Sequence, residues 1–234
     1  MSHQGEANCF KLTWYVTLSD KIVAIIPCYN EENTIGELLK RTLPLVDQII
    51  VINDGSTDNT VKRIPNESKI TLIAREVNRG KGYSLNEGFR EAAKFGSEIV
   101  VTLDGDLQHQ PELIPDFVEA LKHSDIVIGK RKKTGSQMPV HRRLSNFLTS
   151  LLVNIKTGYR LHDSQSGFRG YRLNRIIDIL PEAPGYEAET EILINASRKG
   201  LTVSEVEIPT IYTEFPSKMN YIQAIRGFLR VILQ

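Results

Sequence analysis

Short apolar runs alternate with amphipathic segments between residues 21 and 129. The apolar runs are rich in β-branched residues and end at turn-forming residues, which is typical of strands buried on both faces of a sheet. The segments between them place apolar residues three and four positions apart, which is typical of helices. The pattern predicts strands at 21–28, 48–53, 69–74, 98–103 and 125–129, and helices at 32–43, 81–95 and 111–122, with another helix beginning near residue 58.

This alternation predicts a doubly wound α/β fold, in which helices flank a mainly parallel, Rossmann-like sheet. In such sheets ligands bind beyond the carboxyl ends of the strands. Polar segments follow three of the predicted strands at that edge, at residues 27–31, 54–56 and 104–106. We therefore expect the chemistry of the protein to lie there.

The second half of the chain has few predicted strands, so we expect it to complete the same domain rather than to fold alone. Residues 1–20 are interpreted as a disordered leader, 21–218 as one domain with halves at 21–129 and 130–218, and 219–234 as an amphipathic helix. The leader lacks the apolar core of a signal peptide, and no run approaches 18 apolar residues. We expect a cytoplasmic protein, peripheral to the cytoplasmic membrane face.

The charge balance argues against a nucleic-acid partner. Lys and Arg number 29 and Asp and Glu number 28, giving a net charge of +1. A protein that coats nucleic acid through bulk charge is more basic. The two cysteines, Cys9 and Cys28, can form neither a disulfide scaffold nor a zinc site of known spacing.

A basic run follows the fifth predicted strand. Residues 130–175 contain eleven Lys and Arg and one acid, Asp163. Because apolar residues 144–155 interrupt the run, we interpret it as a rim for a lipid phosphate or an anionic membrane surface. Segments 144–155 and 221–233 are expected to lie at that surface. The alternative is that they pack on the domain or on a second subunit.

Asp104 and Asp106 flank Gly105 at the end of the fourth predicted strand. Two carboxylates bent out of a strand can converge on Mg²⁺ or Mn²⁺, which prefer oxygen ligands, and Gln108 adds a neutral oxygen. The alternative is a turn whose aspartates cap the next helix. His109 is interpreted as a loop residue rather than a metal ligand.

Two further segments suit a nucleotide. Asp54, which we expect to be exposed, follows the second strand and can bond a base or ribose, while Ser56 or Thr57 caps the helix predicted near residue 58. The glycine-rich segment 78–82 precedes a helix, where an anion can bind. Farther along, segment 187–191 offers three glutamates. Helical geometry places Glu187 and Glu191 on one face and Glu189 on another, and one of them can act as a general base.

Together and in this order, the segments resemble family 2 glycosyltransferases. The matching segments are PCYNE at 27–31, NDGS at 53–56, NRGK at 78–81, LDGDLQH at 103–109, DSQSGFR at 163–169, EAETE at 187–191 and SK at 217–218. The resemblance covers residues 20–220. Within the family it is greatest to dolichyl-phosphate mannose synthases and polyprenyl-phosphate glycosyltransferases, because SGFR is present and a QxxRW motif is absent.

The resemblance implies a GT-A fold and an inverting, metal-dependent transfer of a hexose. The donor is a nucleotide sugar of the GDP-mannose or UDP-glucose type, the acceptor a polyprenyl or dolichyl phosphate, and the cofactor Mg²⁺ or Mn²⁺. It also implies the site residues. The nucleotide sugar is expected at Pro27, Tyr29, Asn30, Glu31, Asp54, Lys81, Asp104 and Asp106, and the metal at Asp104, Asp106 and Gln108.

Donor diphosphate and acceptor phosphate repel each other, so arginines are expected to neutralise the acceptor. Arg131 and Arg169 are the first choices. A phosphate acceptor is already anionic at neutral pH and needs no strong base, whereas a hydroxyl acceptor needs one. The acceptor phosphate is expected at Arg131, Arg142, Arg143, Arg169, Ser217 and Lys218, and the catalytic set is Asp104, Asp106, Arg131, Arg169 and Glu189.

Two departures from the family pattern bear on these expectations. Asn53 stands where the family usually has the first Asp of Asp-Asp-Gly-Ser. The C-terminal transmembrane helices of many relatives have no counterpart, so a homodimer or a separate anchoring subunit is an expected partner. Two alternatives stay open, which are a soluble glycosyltransferase with a hydroxyl acceptor and a catalytically inactive nucleotide-sugar-binding relative.

Overall fold

A single seven-stranded sheet organises the part of the chain that the structure describes. This computed structural model describes residues 20–132, 140–211 and 221–234, with the backbone alone at 140–143 and 221. The strands are β1 (Ile22–Cys28), β2 (Gln48–Asp54), β3 (Ile70–Arg75), β4 (Ile99–Thr102), β5 (Ile126–Arg131), β6 (Arg169–Arg172) and β7 (Val203–Ile208). Their order across the sheet is β3-β2-β1-β4-β6-β5-β7.

The sheet is mostly parallel, as the sequence pattern predicts. Strands β1 to β4 pair in parallel, and so do β5 and β7. Strand β6 is antiparallel to both β4 and β5 and separates them. The five predicted strands are confirmed to within about two residues at each end. Strands β6 and β7 were not predicted, because their short sequences, RGYR and VSEVEI, lack a continuous apolar run.

Helices cover both faces of the sheet. They are α1 (Ile35–Thr42), α2 (Lys81–Phe95), α3 (Ile114–Ala120), α4 (Val140–Thr157), α5 (Leu173–Ile176), α6 (Ala188–Arg198) and α7 (Tyr221–Leu233). Successive residues of β1 enter opposite cores, with Ile25 in one and Ile26 in the other. The core around Ile25 includes residues of α2, α4, α6 and α7, and the other includes residues of α1 and α3. Burial on both faces explains the unbroken apolar runs.

The sequence pattern predicts a helix beginning near residue 58, and this prediction is wrong. A 3-10 turn at Val61–Arg63 stands in its place. The polar side chains of the loop after β2 form hydrogen bonds with the loop after β1 instead of capping a helix. Ser56 Oγ accepts the Asn30 N–H at 2.9 Å, and Asp58 Oδ2 accepts the Glu32 N–H at 3.2 Å. The helix predicted at 111–122 is also shorter, because it begins as a 3-10 turn at Pro111–Leu113 and continues as α3.

Helix α2 begins where the chain passes close to a distant segment. Gly80, just before it, has φ of 101°, and a Cβ at this position would overlap the Pro184 carbonyl oxygen. The Gly82 N–H donates to that same oxygen at 2.7 Å. Glycine is therefore needed at Gly80 both for its backbone angle and for space. The contact joins the start of α2 to the segment that leads into α6.

Candidate active site

Four charged side chains meet at the carboxyl end of β4. Asp104 follows that strand, Lys81 begins α2, and Glu189 lies in the first turn of α6. The Lys81 Nζ lies 2.6 Å from Asp104 Oδ1 and 3.1 Å from Glu189 Oε2. Asp106 follows two residues after Asp104. The structure thus brings together four residues that the sequence analysis placed on three separate segments.

A glycine makes the close packing of Lys81 and Asp104 possible. Gly167 lies against them, so that a Cβ there would overlap Asp104 Oδ2 and lie 2.9 Å from Lys81 Nζ. Gly167 belongs to the SGFR segment of the resemblance. Packing explains why glycine occupies this position, because any side chain would push the loop 163–168 away from the Lys81–Asp104 ion pair.

The electrostatics of the site favour charged forms of Asp104 and Lys81. Burial acts to raise the pKa of Asp104, but the Lys81 ammonium outweighs it, and the pKa of Asp104 is lowered. Burial likewise acts to lower the pKa of Lys81, but Asp104 and Glu189 hold that pKa above its usual value. Both groups are therefore ionised at neutral pH.

The pKa of Asp106 is shifted in the opposite direction to that of Asp104. Burial and then repulsion from Asp104 raise the pKa of Asp106 to about 6, and Glu31 adds to the rise. Its Oδ1 accepts the Gln108 N–H at 3.0 Å. This carboxylate thus lies in a strongly negative environment, which is the environment that a cation relieves.

The oxygen donors of Asp104, Asp106 and Gln108 fit a hard divalent cation. Within the described part of the chain, no group of three or more His, Cys, Asp and Glu side chains converges as a complete metal site. An ion held here therefore needs oxygens from a ligand as well, as Mg²⁺ often does on phosphates. The identity of the metal ligands stays a prediction.

His109 is more deeply placed than the loop residue that the sequence suggested. It is buried and stacks on Phe168 with 5.3 Å between ring centroids. Its Nδ1 accepts the Asp104 N–H at 3.2 Å, and its Nε2 lies 3.8 Å from Asp104 Oδ2. Burial lowers the pKa of His109 to about 4. A neutral His109 thus fixes the backbone of Asp104.

Hydrogen bonds join the loops after β1 and β2. Thr57 N–H donates to Asn30 Oδ1 at 2.8 Å, and Glu31 N–H donates to Thr60 Oγ1 at 2.7 Å. Asn30 has φ of 57°, an angle that asparagine tolerates better than most residues. These bonds fix the loop that carries the predicted nucleotide residues Tyr29, Asn30 and Glu31, while Pro27 lies at the end of β1. Their contact with a nucleotide stays a prediction.

Asp54 is not exposed, so that expectation is wrong. Its residue is 4% exposed, and both carboxylate oxygens are engaged. Oδ1 accepts from Arg75 Nη1 at 2.9 Å and from the Arg79 N–H at 3.0 Å, while Oδ2 accepts the Gly80 N–H at 2.7 Å. Asp54 therefore shapes the glycine-rich loop before α2. Its contact with a base or ribose stays a prediction.

Arg131 ends β5, and Asp163 anchors it. Arg131 Nε and Nη2 donate to the two Asp163 oxygens at 2.6 and 2.9 Å. The Arg131 side chain keeps a quarter of its surface exposed. Its charge also contributes to lowering the pKa of Asp104. Arg131 is thus close enough to act electrostatically on the carboxylate pair, by which we mean Asp104 and Asp106.

Arg169 does not occupy the position expected of an acceptor ligand. It is fully buried. Its guanidinium donates to the carbonyls of Ser166, Glu189 and Ser164 at 2.8, 2.7 and 2.7 Å. Because these bonds enclose the group beneath the site, the expected contact with the acceptor phosphate is wrong in this structure. Arg169 fixes the backbone around Glu189 instead.

The three glutamates of segment 187–191 have different roles. Glu189 faces the site, and its Oε1 has no hydrogen-bond partner among the described residues. Glu191 Oε2 accepts the N–H groups of Glu182 and Ala183. Glu187 packs against Gly227 of α7. Of the three, Glu189 is therefore the one positioned as a general base.

Some predicted residues lie outside the described side chains. They are Arg142, Arg143, Ser217 and Lys218. Two described residues of the site were not predicted as part of it, namely Asp163 and Gly167. Asp163 had a signal in the sequence, because it is the only acid between residues 130 and 175. Gly167 had none beyond its place in the SGFR segment.

Comparison with known proteins identifies the family. Residues 23–179 match the glycosyl transferase family 2 domain, which is more than half of the chain. The chain belongs to glycosyl transferase family 2. The resemblance drawn from its ordered motifs is therefore confirmed.

Two relatives of known name cover most of this family member. The UDP-N-acetylglucosamine–dolichyl-phosphate N-acetylglucosaminyltransferase of Methanococcus voltae is 32% identical, over 92% of this chain and 97% of the relative. The undecaprenyl-phosphate mannosyltransferase of Micrococcus luteus is 31% identical, over 86% of this chain and 88% of the relative. Both names describe transfer to a polyprenyl phosphate.

A solved structure confirms the GT-A fold. Glucosyl-3-phosphoglycerate synthase from Mycobacterium tuberculosis, in complex with Mn²⁺, uridine-diphosphate-glucose and phosphoglyceric acid, superposes with a TM-score of 0.71. The two are 26% identical, and the match covers 92% of this chain and 79% of that one. This family 2 chain is thus a glycosyltransferase by family and fold.

Proposed function

We propose that the protein transfers a hexose from a nucleotide sugar of the GDP-mannose or UDP-glucose type to a polyprenyl or dolichyl phosphate, with inversion at the anomeric carbon. The names of the two relatives support the acceptor class. The observation that supports it best in the structure is the position of Arg131, whose charge acts on Asp104 and whose guanidinium is held by Asp163. Each part of this arrangement has a distinct task.

The donor is proposed to bind across the carboxyl ends of β1, β2 and β4. Asp104, Asp106 and Gln108 would hold Mg²⁺ or Mn²⁺, which when bound neutralises charge on the leaving diphosphate. Pro27 at the end of β1 and the loops after β1 and β2, with Tyr29, Asn30 and Glu31, would enclose the nucleoside. The presence of Mn²⁺ and uridine-diphosphate-glucose in the solved structure of glucosyl-3-phosphoglycerate synthase supports a divalent cation and a nucleotide sugar as ligands.

The acceptor phosphate is proposed to bind Arg131. Two unit charges about 4 Å apart repel by roughly 4 kcal/mol at an effective dielectric constant near 20, so the approaching phosphate needs a positive group. Asp163 holds the Arg131 guanidinium with two hydrogen bonds. A preoriented guanidinium can bind two phosphate oxygens at once. Ser217 and Lys218, with Arg142 and Arg143, stay predicted contributors.

The lipid chain and the membrane surface are proposed to meet the outer faces of α4 and α7. Each helix repeats exposed apolar side chains at three- and four-residue intervals, and Phe147 is 55% and Ile225 59% exposed. No helix in the described segments has the length and apolar character needed to cross a bilayer. Amphipathic helices instead bind parallel to a membrane surface. The apolar residues are Leu144, Phe147, Leu148, Leu151, Leu152 and Ile155 on α4, and Ile222, Ile225, Leu229 and Leu233 on α7.

Helix α4 is joined to the site by a short chain of contacts. Ser150 on its inner side accepts the Ser164 N–H at 3.0 Å. Ser164 follows Asp163, which holds Arg131, and precedes Gly167, which lies against Asp104. Helix α4 is thus connected through loop 163–168 to Arg131 and Asp104, which supports a lipid whose chain lies on α4 and whose phosphate binds Arg131. This geometry supports a lipid phosphate over a distant acceptor.

A hydroxyl acceptor is the second candidate. It is supported by Glu189 Oε1, which has no hydrogen-bond partner among the described residues although Arg169 Nε lies 3.9 Å away, and by the phosphoglyceric acid in the solved structure of glucosyl-3-phosphoglycerate synthase. In that case Glu189 would act as a general base and α4 and α7 would contact another protein surface. The two candidates differ in the acceptor and not in the donor site.

The test is to incubate the protein with Mg²⁺ or Mn²⁺, UDP- and GDP-sugars in turn, and a short polyprenyl phosphate. Mass spectrometry of the organic phase reports the product. We expect one donor to give a metal-dependent glycosylated lipid. Nucleotide binding without a lipid product would favour the hydroxyl acceptor, and neither binding nor product would favour an inactive relative.

A further inference from the structure

The Lys81 ammonium is enclosed on several sides. It contacts Asp104 Oδ1 at 2.6 Å and Glu189 Oε2 at 3.1 Å, and it lies 5.8 Å from the centre of the Tyr186 ring. Gly167 closes a further side. The side chain is only 12% exposed. An ammonium has three N–H donors, so two carboxylates leave it able to bind one more acceptor.

This ammonium and a divalent cation compete for the same carboxylate. Asp104 is one of the residues proposed to hold the cation, and Lys81 already neutralises it. A doubly charged ion bound to either Asp104 oxygen would lie within a few ångströms of Nζ. Like charges at such a distance repel by several kcal/mol in a partly buried site. The cation therefore binds well only when Lys81 releases Asp104.

The diphosphate of the donor offers Lys81 a new partner. Lys81 is the first residue of α2, and the N-terminus of a helix favours anions. Glu189 Oε2 and Asp104 Oδ1 contact the ammonium from different elements, α6 and the loop after β4. The lysine can thus keep Glu189 while it exchanges Asp104 for a phosphate oxygen.

We propose that Lys81 is an exchangeable counter-ion, which neutralises Asp104 in the donor-free protein and passes to the donor diphosphate when the cation takes Asp104. This inference rests on the proposed function, since it assumes a cation and a nucleotide diphosphate at this edge of the sheet. The exchange of Lys81 makes the binding of the cation and the binding of the nucleotide cooperative. The cation binds weakly alone, and by linkage each ligand raises the affinity for the other.

A fixed ion pair would behave differently. If Lys81 served only to stabilise the fold, its removal would leave the buried Glu189 and the half-buried Asp104 uncompensated and would lower stability. It would not weaken the dependence of cation binding on nucleotide. The two roles are therefore separated by how strongly the cation affinity depends on nucleotide, which is measured without any turnover.

The experiment measures Mn²⁺ affinity by electron paramagnetic resonance of the free ion, for the wild type and for Lys81→Met. Lys94→Met is the matched control, because Lys94 lies on the same helix, is exposed and pairs with Glu91 one turn away. Without nucleotide, we expect Lys81→Met to bind Mn²⁺ about tenfold more tightly than the wild type, and Lys94→Met to match the wild type. With UDP or GDP present, the nucleotide-dependent gain in affinity should be smaller in Lys81→Met.

Equal or weaker Mn²⁺ binding by Lys81→Met without nucleotide would overturn the exchange. Thermal unfolding of each variant shows whether it is folded, and Lys81→Gln, which keeps an N–H donor without the charge, gives the same test if Lys81→Met is not. A wild type whose Mn²⁺ affinity neither UDP nor GDP increases would instead contradict the proposed function. The two failures are thus distinguishable.

Discussion

Arg131 and Asp163 form a two-point ion pair across the edge of the sheet. The guanidinium donates from Nε and Nη2 to the two carboxylate oxygens at 2.6 and 2.9 Å, and the Arg131 backbone N–H adds a bond at 3.3 Å. Arg131 ends β5, whereas Asp163 lies in the loop before β6. The pair therefore fixes the direction of the side chain that we propose binds the acceptor phosphate.

Asp163→Asn should weaken acceptor use selectively. An amide can accept only one of the two guanidinium bonds without a change of partner, so Arg131 loses its fixed orientation. We expect the acceptor KM to rise about tenfold while the donor KM stays within twofold. Initial rates with varied acceptor and donor measure both. Asp178→Asn, at an exposed acid, is the control, and an equal rise in both KM values would contradict the assignment.

The same carboxylate should give the protein an acid-sensitive component of stability. Burial acts to raise the pKa of Asp163, but the hydrogen bond and charge of Arg131 outweigh it, and the pKa is lowered. This stabilisation is fully present above the unfolded pKa of about 4 and is lost as the pH falls through the lower folded pKa. Urea unfolding midpoints of wild type and Asp163→Asn should differ at pH 7 and converge towards pH 3. A difference that stays constant would exclude this carboxylate as the source.

Glu189→Gln should distinguish the two acceptor classes. A phosphate acceptor is already anionic at neutral pH because its second pKa is about 6, so turnover should fall by no more than about tenfold. A hydroxyl acceptor would lose about 10²- to 10⁴-fold with its general base. We expect the smaller loss in kcat. The exposed Glu182→Gln serves as control, and a loss of several orders of magnitude would reject the lipid-phosphate acceptor.

Gly167→Ala should damage the donor site without replacing any charged residue. The added Cβ would overlap Asp104 Oδ2 and approach Lys81 Nζ to 2.9 Å, so the ion pair has to move. We expect a loss of about 1–3 kcal/mol in unfolding free energy and weaker Mn²⁺–nucleotide binding. Chemical denaturation and calorimetric titration measure these. An unchanged nucleotide affinity would contradict this prediction, because it would show that the loop 163–168 can move to accommodate the added methyl group.

Replacing both Phe147 and Ile225 by Gln in one variant should reduce the binding of the protein to membranes. Each side chain is more than half exposed, and burying such side chains in lipid gives on the order of 1 kcal/mol apiece. We expect at least about tenfold weaker co-sedimentation with anionic vesicles, with unchanged donor binding. Val77→Gln, at an apolar residue exposed on another part of the surface, is the control. Vesicle binding equal to that of the wild type would indicate a protein partner for these helices.

The strands that the sequence predicted are those with continuous apolar runs. Such runs bury both faces of β1, β2 and β4, and their physical signal is local. Strand β6 could not be predicted in this way, because only its pairing with β4 and β5 makes the polar sequence RGYR a strand. The helix predicted near residue 58 failed for a related reason. The local capping signal of Ser56 was overridden by its bond to Asn30 on another loop.

The family, the α/β class and the segments that form the site could all be predicted from residue order, since strand ends and ordered motifs are local features of the chain. The role of each side chain within those segments emerged from its packing in the folded protein. That packing turned Arg169 inward, enclosed Asp54 and placed Lys81 between Asp104 and Glu189. The reason is that burial and ion pairing depend on neighbours distant in sequence, which no local spacing specifies.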